Sequence, residues 1–395
     1  MANLIRKIAA LLLIAAAILT AGATPSMAGD AEIARLEQLF RAPDSAETLF
    51  APSFLAAVPA AKVRDIVAEL TKTVGQPVAI TEDGNGYAVE TATHVIDTEV
   101  TLDAEGRIAG LLFQPPVALT TSLTETFDKL ATLAPTVAFL AETDGKTRAA
   151  KDADTPLAVG SAFKLGVLKV LVGDIAAGRR QWDDVARLET GDLSLPSGNM
   201  RLYPVGSPVT LYTLAAEMIS TSDNTATDAL IRLVGADRVA GALGIDTVLT
   251  TRAFFQLKAD KPLADAYANA SAGERAAIVA QLDGRDLPDI HAASTHYQRD
   301  VEWMIPARQL CHLALELSDT DVFVINPGPI RTGPWKRIAF KGGSERGVLN
   351  LTAALIGQDG RRHCLSVTLN GDKEIDETAA AGLFARAASQ LATAN

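Results

Sequence analysis

Short β-rich runs lie at both ends of residues 121–395, with a long helical stretch between them. That placement constrains the fold more than any other feature. The first pair is a hairpin, Val137–Glu142 and Lys146–Ala150, turning at Asp144-Gly145. The last three runs are Trp335–Lys341, Val348–Ile356 and Arg362–Leu369, with a turn at Gln358-Asp359-Gly360. Short apolar runs bounded by Asp-Gly read as hairpin strands rather than helices. Helical patterns flank both sets, Leu123–Leu133 before and Glu377–Leu391 after. Strands from opposite ends pair only if the intervening chain leaves and returns. The expectation is an α+β fold: one antiparallel five-stranded sheet, terminal helices on one side and an all-helical lobe on the other.

Residues 29–116 read as a separate, smaller α+β domain. Ile33, Leu36, Leu39 and Phe40 share one helical face, and Val63, Ile66, Val67 and Leu70 share another. From Gln76 the pattern changes to short β-rich runs broken by Asp83-Gly84-Asn85-Gly86 and Asp103-Ala104-Glu105-Gly106, which are hairpin signals. Gln114-Pro115-Pro116 begins a linker. His94 stands alone there, as a surface or strand histidine. Ahead of this domain, Arg6 and Lys7 precede an apolar run, Ile8 to Thr20, and then Ser26-Met27-Ala28. The run is too short to span a bilayer, so residues 1–28 are expected to be a cleaved secretory signal. The mature chain is then periplasmic or secreted, with no membrane span.

Composition removes several function classes. Lys plus Arg number 36 against 47 Asp plus Glu, a net charge of −11, and aromatics are 5%. An acidic, aromatic-poor chain is a poor partner for nucleic acid. His94, His291, His296, His312 and His363 form no helical His-x-x-x-His pair, so no metal and no cofactor is expected. The two cysteines, Cys311 and Cys364, lie in a helix-like run and an apolar strand. Export permits a bond between them, but disulfide geometry is demanding, and two separate buried thiols are expected.

Ser161-Ala162-Phe163-Lys164 opens the most apolar helical run of the mature chain, Ser161 to Val172. A serine there is first of all an N-cap. Lys164, three residues on, shares its face and brings an amine within reach of the hydroxyl. Held among apolar neighbours, that amine is desolvated and its pKa falls toward that of a general base. Roughly one Ser-x-x-Lys is expected by chance in a chain this long, and this is the single match. Ser222-Asp223-Asn224 sits between the helical runs Leu211–Ile219 and Thr227–Val234. It reads either as a polar helix–helix turn or as a second hydroxyl with a substrate-binding amide. Lys341-Gly342-Gly343-Ser344 ends an apolar strand. The Gly pair is a bulge, or else a flat edge along which substrate backbone lies above the Lys341 charge.

In this order the three elements resemble the penicillin-recognising serine hydrolases, and among them the class A β-lactamases. The likeness covers about Thr121–Asn395. The two-part layout also resembles the β-lactamase-like proteins of clavulanic acid biosynthetic clusters, which carry a small α+β domain in front. The resemblance implies an acyl-serine mechanism. Ser161 is then the nucleophile, and Lys164 and Ser222 handle its proton. Asn224, Lys341, Gly343 and Ser344 bind substrate, and the backbone amides of Ser161 and Ser344 form the oxyanion hole. Its substrate is a small molecule: a β-lactam, an ester or a peptidoglycan-like amide.

Two departures bear on activity. Where the family has Lys-Thr-Gly, this chain has Lys341-Gly342-Gly343 and lacks a hydroxyl for the substrate carboxylate. The family's Glu-x-x-Leu-Asn signature also has no counterpart. The matching stretch, Thr251–Lys258, contains no glutamate, and the first later ones are Glu274 and Glu302. Glu274, in Ser271-Ala272-Gly273-Glu274, has the form of a capping box. Acylation is expected with deacylation impaired. The alternatives are a D-alanyl-D-alanine peptidase or esterase, and a non-hydrolytic β-lactam- or peptidoglycan-binding protein.

Overall fold

The computed structural model describes residues 28–83, 86–293, 297–299 and 301–393. The signal read at residues 1–28 lies outside them except for Ala28, as do Gly84 and Asn85 of the first expected turn and His296. Two compact units divide the chain, Met1–Ser122 with Arg331–Gly333, and Leu123–Ile330 with Pro334–Asn395.

In the first unit, α1 (Ala28–Arg41) and α2 (Ala60–Val74) precede four strands. These are β1 (Pro77–Asp83), β2 (Gly86–Thr91), β3 (His94–Leu102) and β4 (Ile108–Phe113), paired in chain order into an antiparallel sheet. Leu36, Leu39 and Phe40 of α1 and Val63, Val67 and Leu70 of α2 form one core with Val89 and Ile96 of the sheet. The helical period seen in the sequence thus aims one stripe of each helix at the strands. His94 opens β3, half-buried, with its Nδ1 2.8 Å from Thr93 Oγ1.

The second unit begins with α3 (Leu123–Ala131), β5 (Thr136–Thr143) and β6 (Lys146–Lys151). Its helical lobe includes α4 (Lys164–Ala176), α5 (Leu211–Ser220), α6 (Asn224–Val234), α7 (Thr251–Ala259) and α8 (Ala307–Leu317). The chain then returns through β7 (Trp335–Glu345), β8 (Val348–Gly357) and β9 (Arg362–Asn370) to α9 (Glu377–Thr393). The sheet is antiparallel with order β7-β8-β9-β5-β6, so strands from the two ends meet where β9 pairs with β5. All but one residue of β8 and of β9 are buried. Strands with helices against both faces need such continuous apolar runs. The expected α+β sheet with flanking helices is the fold observed. Among the described residues, no helix is long and apolar enough to cross a membrane.

One expectation is corrected here. Cys311 and Cys364 are not separate thiols but a disulfide between α8 and β9, with Cα atoms 5.6 Å apart. The sequence places one in a helix and one in a strand without saying that α8 lies on the sheet at that register. Packing brings them together, in a small core with Leu140, Ala153 and Ala307.

Candidate active site

The Ser161 segment is tighter than an α-helix start. Gly160–Phe163 forms a 3-10 turn and α4 begins only at Lys164. The expected N-cap is therefore absent: Phe163 precedes α4 and makes no side-chain cap. Among the described residues no hydrogen bond engages Ser161 Oγ, which lines an open cleft of about 400 Å³. Gly160 takes a left-handed φ of 49° to make this turn.

Glycine is required across from it. A Cβ on Gly343 would stand 2.3 Å from the carbonyl oxygen of Val159 and 2.4 Å from the amide nitrogen of Ser161. The edge strand β7 thus lies backbone to backbone against the serine turn. Gly160, Ser161, Gly343 and Ser344 all line the cleft.

Lys164 is fully buried on the first turn of α4. Its Nζ donates to Ser222 O at 2.5 Å, Asn224 Oδ1 at 2.7 Å and Ser222 Oγ at 3.1 Å. The amine thus turns to the Ser222-Asp223-Asn224 segment rather than bonding to Ser161, as its spacing on a helix face had led us to expect. Burial holds its pKa well below the usual lysine value. The nearby Lys341 charge adds to the shift, and Asp228 and Asp223 oppose it. Lys341 is recessed too, donating to Ser222 Oγ at 3.0 Å and Gly342 O at 2.5 Å. Burial lowers its pKa to about 7. Ser222 Oγ therefore bridges two desolvated amines.

That bridge depends on an uncommon backbone. Ser222 has φ 59°, left-handed for a residue with a Cβ. The residues around it fix the conformation. Asp223 caps α6 through Ala226 N at 2.9 Å and also accepts from Met200 N at 2.8 Å. Ser197 Oγ donates to Ser222 O at 2.6 Å, and Asn224 Nδ2 to Leu195 O at 3.0 Å. Strain held by its surroundings in this way gathers at functional sites.

The sequence reading missed three parts of the site. Asp228 is buried and accepts from Thr251 N at 2.7 Å and Arg252 N at 2.8 Å, tying the start of α7 to α6. Burial raises its pKa to about 7. A charge on the face of α6 that carries Ile231 was the signal available. Second, α7 supplies an aromatic wall: Phe254 stacks on Trp303 at 4.3 Å, and Trp303 on Phe163 at 4.0 Å. Third, Lys258 pairs with Glu302 at 2.9 Å and with Glu345, the residue after Ser344, at 2.6 Å. The two carboxylates raise Lys258 despite the opposing effect of burial. Glu302 is held well above the ordinary glutamate range, first by burial and then by Glu345. Glu302 is buried in its pair with Lys258. Glu274 forms the expected capping box with Ser271, and neither glutamate lines the cleft. Among the described residues, no group of three His, Cys, Asp or Glu is arranged to hold a metal.

The family model of the β-lactamase enzyme family matches residues 119–394, and the chain belongs to that family. Among solved structures it is similar to a β-lactamase from Sphaerobacter thermophilus, at 21% identity over 69% of this chain and 98% of that one, TM-score 0.49. A β-lactamase from Chitinophaga pinensis is 18% identical over 67% and 97%, TM-score 0.46. An ancestral class A β-lactamase is 16% identical over 68% and 98%, TM-score 0.49. A search of curated proteins finds no match.

Proposed function

We propose that this member of the β-lactamase enzyme family is an exported serine hydrolase working through an acyl-Ser161 intermediate, with substrates among β-lactams and related esters and amides. The observation that carries the reading is Lys164, an amine fully buried and hydrogen-bonded to Ser222 and Asn224 beside the Ser161 turn. Desolvation favours the neutral amine, which is the form a general base needs. In this reading Lys164 takes the Ser161 proton, directly or through Ser222, as Oγ attacks the substrate carbonyl carbon. The proton returns through Ser222 to the leaving group. The amides of Ser161 and Ser344 hold the oxyanion, a role that backbone donors at a fixed turn perform without reorganisation. Asn224 and Lys341 orient substrate from the two walls. The apolar signal pattern supports export, and the Cys311–Cys364 bond fits an oxidising compartment.

Deacylation is the slow half. The α7 stretch puts Thr251, Phe254 and Phe255 on the cleft, so no carboxylate there activates water. The experiment is intact-mass analysis after mixing with a penicillin and with an activated aryl ester. An adduct on Ser161 that outlasts mixing supports the reading. Rapid turnover of penicillin with no adduct contradicts impaired deacylation, and hydrolysis retained by Ser161→Ala contradicts the mechanism.

A further inference from the structure

Strand β7 is an edge of its sheet, paired with β8 along one side. It ends at Glu345, which stands opposite Val348 where the chain turns back. The end of an edge strand has few partners and frays unless something ties it down. Ser344 sits one residue from that end, and its amide nitrogen lies close to the serine turn: a Cβ on Gly160 would stand 3.3 Å from it. Side chains alternate along a strand. Glu345 therefore shares the face of Lys341 and Gly343, which is the face turned to Ser222 and the serine turn.

Lys258 meets Glu345 there. Its side chain is 1% exposed, and Nζ donates to Glu345 at 2.6 Å and to Glu302 at 2.9 Å. The same atom lies 5.0 Å from the centre of the Phe254 ring, one turn back on α7. Glu302 precedes Trp303, whose carbonyl accepts from Val159 N at 3.1 Å, two residues before Ser161. Met304 and Ile305 then pair with Ala158 and Leu157. Lys258 thus joins the strand end that follows Ser344 to the segment that flanks the chain entering the Ser161 turn. Glu345 Oε1 is buried without a hydrogen-bond partner among the described residues, so the tie of this carboxylate is Oε2 to Lys258.

We propose that the Lys258–Glu345 ion pair clamps the end of β7 and so sets where the Ser344 amide stands against the Ser161 turn, which makes both of them positioning residues for the oxyanion hole. The inference rests on the reading of that hole as the amides of Ser161 and Ser344. Glu345 acts here as an acceptor for Lys258 and not as a group that meets substrate. Two substitutions separate those roles. Glu345→Ala removes the clamp and leaves Lys258 paired one-to-one with Glu302, so no lone charge is buried. Glu345→Gln removes the charge and keeps an oxygen for Lys258 to bond.

The test is the burst of 4-nitrophenol from 4-nitrophenyl phenylacetate, followed by stopped flow. In Glu345→Ala the acylation rate constant at saturating ester is expected to fall ~10-fold or more, short of the ~10²–10³ lost with an oxyanion donor itself. The burst keeps its full amplitude, and the ester concentration at half-saturation is unchanged. Glu345→Gln restores the rate constant to within about threefold. A residue that only stabilised the fold would lower the amplitude, which counts folded sites, and not the rate constant. Hydrogen exchange over residues 341–348, read by mass spectrometry, judges the clamp without any chemistry: faster in Glu345→Ala and near wild type in Glu345→Gln. Unchanged exchange or an unchanged rate constant in Glu345→Ala, or a loss that Glu345→Gln shares, overturns the inference. An equal burst from Ser161→Ala instead overturns the acyl-serine reading, while exchange still decides whether the clamp exists.

Discussion

Adding one methyl group at Gly343 opens the contact between the serine turn and strand β7. The Cβ would stand 2.3, 2.4 and 2.7 Å from Val159 O, Ser161 N and Ala162 N, all of them backbone atoms. Ordinary contact begins near 3.4 Å, so the turn and the strand must part by about 1 Å, a displacement that costs an active site on the order of 10²-fold. Overpacking of this kind also destabilises by about 1–3 kcal/mol. At Gly342 the same methyl meets Phe340 Cζ at 3.2 Å and Asn350 O at 3.4 Å. A few tenths of an ångström of movement by the end of the Phe340 ring relieves the first contact. Gly343→Ala is therefore expected to lose ~10²-fold or more in the acylation rate, and Gly342→Ala less than ~10-fold. Stopped-flow release of 4-nitrophenol gives both rates, and thermal melts confirm that both variants fold. A Gly343→Ala rate within threefold of wild type, about 0.6 kcal/mol in the barrier, would refute the account of this contact.

Lys164→Ala removes the buried amine and is expected to cut acylation by at least ~10². In the wild type the acylation rate rises with pH as Lys164 loses its proton, at a pH well below 10.5, and the variant's profile lacks that rise. Lys341 titrates near 7 in the folded protein and near ~10.4 unfolded, so between those values the unfolded chain holds the extra proton. Stability thus rises with pH through that window by up to ~1.4 kcal/mol per pH unit, is lost as pH falls from ~10.4 to about 7, and is flat below it. Denaturant melts of Lys341→Met, which has no such proton, show the slope missing. The Cys311–Cys364 bond closes a separation of 53 residues, which corresponds to about 4 kcal/mol of loop-closure entropy. The Cys311→Ala/Cys364→Ala protein is expected to unfold at markedly lower denaturant, and an unchanged midpoint would count against a stabilising bond. Glu345 lines the cleft beside Ser344, but Lys258 holds its carboxylate. Glu345→Gln should leave the deacylation rate within a few-fold, short of the ~10²–10⁴ that a positioned base contributes.

Local pattern carried most of the fold. The runs read as Val348–Ile356 and Arg362–Leu369 are strands Val348–Gly357 and Arg362–Asn370, because continuous apolar runs bounded by an Asp-Gly turn leave a signature within ten residues. Ser161, Lys164, Ser222, Asn224, Lys341, Gly343 and Ser344 stood out by motif and order, and their segments meet around one cleft. What stayed hidden depends on contacts far apart in sequence. Lys258, Glu302 and Glu345 come from α7, the segment before α8, and β7, and no spacing rule links them. The disulfide depends on where α8 crosses the sheet. The 3-10 turn at Ser161 lies backbone to backbone against β7, a contact distant in sequence, so an N-cap rule applied to the local sequence names the wrong geometry.

Time-resolved intact mass, with peptide mapping of the modified residue, tests the central claim most directly. Wild type and Ser161→Ala are mixed with a neutral aryl ester and, separately, with a penicillin. The account predicts one acyl group on Ser161 of the wild type, persisting after free reagent is removed. Ser161→Ala stays unmodified. An adduct on another residue, or equal hydrolysis by both proteins, would contradict it.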